Sequence, residues 1–91
     1  MELKDIKIKE WQMVSHMSME KQHLSKYQGK IECEGNLNGK ALVREVSVWK
    51  DKNGEFSESS KEKSMWYIPG EKPTFKTVQE LVLHYMPEVK V

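Results

Sequence analysis

The sequence predicts a small single α+β domain over residues 1–91, an antiparallel three- to four-stranded β-meander flanked by an N-terminal helix and a C-terminal helix. Three observations predict it. Two Asn-Gly pairs, Asn38-Gly39 and Asn53-Gly54, each lie between strand-like runs, and Asn-Gly readily takes the two positive φ values of a type I′ hairpin turn. The stretch between them, residues 41–49, is the most apolar strand-like run of the chain. Near the C-terminus, Thr77-Val78-Gln79-Glu80 has the form of a capping box ahead of an apolar stripe. A chain of 91 residues has no room for a second core.

Taken in order, Ile6 and Ile8 alternate with Lys7 and Lys9, which predicts a short strand leading to Trp11. Met13, Met17, Leu24 and Tyr27 then fall at roughly helical spacing. Ser15 or Ser18 can cap that helix and Gly29 can stop it. Treating both Asn-Gly pairs as two-residue loops gives a provisional register. It sets Cys33 opposite Arg44, Ile31 opposite Val46, Leu42 opposite Met65, Arg44 opposite Lys63 and Val46 opposite Lys61. Alternation puts Leu42, Arg44, Val46 and Val48 on one face, and Ala41, Val43, Glu45, Ser47 and Trp49 on the other. Residues 57–64 are polar throughout and read as an exposed hairpin arm or mobile loop, with the core expected over about residues 6–86. Met65-Trp66-Tyr67-Ile68 returns to the core and Pro69-Gly70 ends that strand. In the last helix Val78, Leu81, Val82 and Tyr85 share one stripe, His84 lies off it, and Pro87 ends it.

Composition excludes several classes. With 15 basic against 14 acidic residues the net charge is +1, so anion binding has to be local rather than a bulk property. Cys33 is the only cysteine and forms no intrachain disulfide; His16, His23 and His84 lack metal-ligand spacing, so no metal or cofactor is expected. The start of the chain has no apolar run of the secretory kind and no stretch long enough to span a bilayer, which reads as a cytoplasmic (intracellular) protein with no membrane partner. No nucleophilic triad, phosphate-cradling loop or distinct carboxylate pair is present, so a non-enzymatic binding module is expected.

Arg44 is the lone arginine, set inside the most apolar run. A guanidinium there needs an anionic or hydrogen-bonding partner. Two kinds of partner are open: an internal carboxylate such as Glu62 or Glu34, or a ligand phosphate or carboxylate, which the planar fork fits bidentately. The candidate ligand-binding residues are Arg44, Ser47, Lys61 and Lys63, with the lysines as secondary point charges.

Several segments in order resemble a reduced Src homology 2 domain, the phosphotyrosine-peptide reader. They are Glu10-Trp11 with Ser18-Met19-Glu20, then Gly39-Lys40-Ala41-Leu42-Val43-Arg44-Glu45, then Tyr67-Ile68, and finally Phe75 through Tyr85. The resemblance places Arg44 on the family's phosphate-binding position and implies a reader of an anionic or phosphotyrosine peptide. The chain departs from the family pattern at Met19, Ala41 and Val46, and between Gly54 and Trp66 it is short for the family's two middle strands. Two alternatives stand beside this one. Size, solubility and absent chemistry fit a small inhibitory protein, of the kind phages and mobile elements encode, that binds a partner protein. A helix, three-stranded meander and helix is also the order of a double-stranded-RNA-binding domain, for which Lys61, Lys63, Lys72 and Lys76 would supply the basic patch.

Overall fold

The computed structural model describes residues 1–58 and 60–90. A short 3-10 turn, Leu3–Asp5, leads into four strands, β1 (Lys7–Ser18), β2 (Gln22–Glu32), β3 (Ala41–Trp49) and β4 (Lys61–Tyr67), followed by one helix, α1 (Val78–Tyr85). The strands form a single antiparallel sheet in the order β1-β2-β3-β4. The molecule is elongated, 46 × 24 × 22 Å, because the first hairpin extends well past the helix.

β3 explains the arrangement. It is the most apolar strand and sits centrally, so it needs a neighbour on both sides. β4 supplies one and β2 the other. This is why residues 13–28 are not the expected N-terminal helix: 13–18 lie in β1, 22–28 in β2 and 19–21 in the turn between them. The helical spacing of Met13, Met17, Leu24 and Tyr27 yields to strand alternation, in which His23, Ser25, Tyr27 and Gly29 share one face. Pairing across the sheet outweighs local propensity here.

The register also differs from the expected one. Arg44 lies opposite Tyr27 and Trp66 instead of Cys33 and Lys63. Both hairpin loops are longer than two residues. Leu37, only 3% exposed, drops from the first loop into the core, which a two-residue turn could not allow. In the second loop the Asp51 carboxylate accepts from the backbone N–H of Asn53 and Glu55 and from the Ser57 hydroxyl. Gly39 and Gly54 do take positive φ, 81° and 74°, yet neither asparagine does, so no type I′ turn forms. The polar stretch 57–64 divides accordingly: Lys61–Ser64 belongs to β4, Ser57 and Ser60 are hydrogen-bonded to each other, and Ser59 lies outside the described residues.

The C-terminal helix keeps its expected Thr77 cap and apolar stripe, but the capping box does not close on Thr77 itself. Thr77 Oγ1 accepts from the Glu80 N–H at 3.1 Å, and the Glu80 carboxylate reaches back to the Lys76 N–H. Leu81 and Val82 are buried, Val78 and Tyr85 partly so, and His84 is exposed. With Met86 and Val89 they pack on Ile31, Leu37, Leu42 and Ile68 at one end of the sheet. Lys90 lies close beside this core, its carbonyl accepting from the Leu3 N–H at 2.7 Å. Burial pushes the Tyr85 phenol above its usual range, with Glu71 adding to it.

Two substitutions test this packing. Leu81→Ala should cost about 2–5 kcal/mol in urea unfolding; a loss below about 0.5 kcal/mol would mean the helix does not pack on the sheet. At Gly29 an added Cβ would lie 2.5 Å from Trp11 Cε3 and 2.7 Å from Ile8 Cγ2. Gly29→Ala should therefore destabilise the protein by about 1–3 kcal/mol, and an unchanged midpoint would show that Trp11 does not lie across the sheet.

Candidate functional site

The sheet separates two chemically different faces. On the helix face, beyond the reach of α1, Arg44 is flanked by Tyr27 on β2 and Trp66 on β4. A bulge at Glu10, with φ 56°, re-aims the next residue, so that Trp11 folds over Gly29. Its ring stacks at 6.1 Å from Tyr27 and 5.8 Å from Trp66. The Arg44 guanidinium lies 5.2 Å from the Trp66 ring centroid. Its Nη2 donates to Ser64 Oγ at 3.0 Å and meets Glu62 Oε1 at 3.5 Å.

Arg44 thus has an internal carboxylate, one of the two partners the sequence left open. The pair is not deeply buried: the side chains are 33% and 55% exposed. Such a pair contributes no more than about 1 kcal/mol, and stacking on Trp66 adds about as much. Among the described residues Nε is buried without a hydrogen-bond partner, so the fork is only partly used. Farther along the same face, His16 Nδ1 lies 2.9 Å from Ser25 Oγ, and the His23 ring stacks on Phe56 at 3.7 Å. The His23–Phe56 stack holds the second loop against the far end of the sheet.

The opposite face has no helix over it. By register it carries Lys7, Lys9, Lys26, Lys30, Lys61 and Lys63. Against these stand Glu32 and Glu45, with the bulged Glu10 at the border. Lys9 pairs with Glu32 at 3.6 Å and Lys26 with Glu45 at 3.8 Å, while the Tyr67 hydroxyl donates to Glu45 at 3.0 Å. Lys7, Lys30, Lys61 and Lys63 are exposed and make no ion pair with the described residues. Even with Glu10 counted, the face holds two lysines for each glutamate. The rest of the chain is left with nine basic and eleven acidic side chains. Charge that balances overall is segregated in space.

Of the candidate residues, Ser47, Lys61 and Lys63 come together on this open face, with Ser47 directly opposite Lys63. Arg44 projects from the other side of the sheet and does not join them. Lys7, Lys9, Lys26 and Lys30 complete the patch and were not among the sequence candidates. The signal was present in Lys26-Tyr27-Gln28-Gly29-Lys30-Ile31-Glu32, where polar residues alternate at period two. Reading the preceding segment as helical hid it.

No group of three or more His, Cys, Asp or Glu among the described residues could hold a metal ion, and none of their helices is long and apolar enough to cross a membrane. Burial pushes the Cys33 thiol up, away from the thiolate an activated nucleophile needs. No protein-family model, curated protein or solved structure matches the chain.

Arg44→Ala is expected to cost about 1–2 kcal/mol, through lost stacking and a weak ion pair, because Glu62 is exposed enough to rehydrate. A loss of about 3–5 kcal/mol in denaturant melts would instead mark a desolvated structural pair.

Proposed function

We propose that this protein is a non-enzymatic binding module that holds a duplex nucleic acid against the open face of its sheet. The observation that carries the reading is the six-lysine face, uncovered by any helix and drawing its lysines in pairs from β1, β2 and β4. Lysines spread in two dimensions suit an array of phosphates better than the single phosphate of one phosphotyrosine. Between them stand Gln12, Gln28, Ser15 and Ser47, neutral groups able to hydrogen-bond phosphate oxygens or base edges. Backbone contact is favoured over base stacking, since the two aromatics of this face, Trp49 and Tyr67, are half-buried and Tyr67 is held by Glu45. Ser47, Lys61 and Lys63 keep the ligand-binding role the sequence suggested, joined by Lys30 and Lys7.

An anionic peptide read through Arg44 is the second reading, and the partly exposed guanidinium favours it. Such a ligand has to displace Glu62.

Fluorescence anisotropy with a labelled duplex of mixed sequence separates the two. Binding should weaken from 50 to 200 mM salt with a log–log slope of about −3 to −5, as expected for roughly four to five phosphate contacts. The double variant Lys30→Glu/Lys63→Glu should lose at least about tenfold in affinity at an unchanged melting temperature, since the duplex backbone would now meet a carboxylate at two separate points of the face. No binding to duplex at 50 mM salt would overturn the nucleic-acid reading. Capture of a phosphotyrosine peptide that Arg44→Lys abolishes would establish the second one.

A further inference from the structure

We infer that the outer edge of β1 pairs with the same edge of a second copy of this chain, joining two four-stranded sheets into one. The two edges of the sheet are built differently. β4 is short, carries Lys61, Glu62 and Lys63, and at Trp66 its outer backbone groups are taken by Phe75, through hydrogen bonds of 2.7 and 2.8 Å. These are ordinary means of blocking an edge. β1 is the longest strand, and no other described segment pairs with its outer side. From Trp11 to Ser18 it contains no Asp, Glu, Lys or Arg. Four of the six large hydrophobic side chains exposed among the described residues lie on this stretch: Trp11, Met13, Val14 at 46% and Met17 at 57%. Met19 continues it into the turn. An apolar stretch of this kind on an open edge is a pairing site rather than a solvated strand.

The occupant follows from charge and closure. An antiparallel pair of two such stretches about a two-fold axis sets no like charges against each other over its uncharged length. At its ends the mixed group Lys7, Lys9 and Glu10 of one copy approaches Glu20 and Lys21 of the other. Pairing through β1 leaves only the blocked β4 edges outside, so assembly closes at two copies rather than growing into a filament. The bulges at Glu10 and Val14 interrupt the ladder, which confines the regular pairing and keeps the interface small. Its area falls at or below the roughly 1,200 Å² at the lower end of stable complexes, so dimerisation in the micromolar range or weaker is expected.

Analytical ultracentrifugation from about 5 to 500 µM tests this, together with hydrogen exchange at both ends of that range. The expected result is a concentration-dependent monomer–dimer equilibrium, with added protection at high concentration confined to β1 amides. Met17→Lys and, separately, Val14→Lys should each weaken dimerisation at least about tenfold by placing new charges in the interface, with the dilute melting temperature preserved. A monomer at 500 µM overturns the proposal. So does a dimer that both variants leave intact, or an open-ended polymer in place of a dimer.

Discussion

One eight-residue helix has to cover a sheet whose first two strands run for 12 and 11 residues. The core is therefore confined to the end of the sheet around Leu42, Ile31 and Ile68, where Leu81, Val82 and Met86 press down. Apolar area removed from water is what offsets the entropy of ordering a chain, and at the far end of the sheet there is little to remove. Everything distinctive about the molecule lies in how that uncovered half is finished: with stacked rings and an arginine on one face, lysines on the other, and methionines along one edge.

The rings show how a sheet can cover itself. Trp11 lies over Gly29 and reaches Tyr27 and Trp66, so that one indole spans three strands. That geometry needs both a residue without Cβ beneath the ring and a bulge to turn the strand, and Gly29 and Glu10 supply them. Arg44 completes the layer. Its planar head lies over Trp66, a contact a lysine would make less well. The arginine's position inside an apolar run is then intelligible as packing as much as charge.

How much of this was legible in the chain depends on the range of the forces involved. The α1 cap, stripe and stop are local, and Thr77, Leu81 and Pro87 announce them. The alternation of β3 is also local, and its two faces were assigned as they stand. The pairing of β2 with β3 is not local: nothing between Met13 and Gln28 says that a strand-hungry β3 lies ahead, so a spacing that fits a helix read as one. The register failed for a related reason. An Asn-Gly pair signals a turn but not the length of its loop, and the need to bury Leu37 lengthened the first one. Once β2 was misread, Lys26 and Lys30 could not be placed on the same face as Ser47 and Lys63, and the open face went unseen.

The proposed pairing of β1 edges bears directly on that face. A two-fold axis perpendicular to the sheet maps each face onto itself, so both lysine faces end on the same side of the joined sheet. Twice the lysines would then face one polyanion without any new contact within either chain, and the second set of contacts would form at high effective concentration. Repulsion between the two patches opposes dimerisation in low salt, and a bound polyanion relieves it. Ligand and second copy should therefore favour each other's binding, since each removes a cost the other imposes. This coupling depends on the faces lying side by side, which follows from the antiparallel edge and from no other feature of the fold.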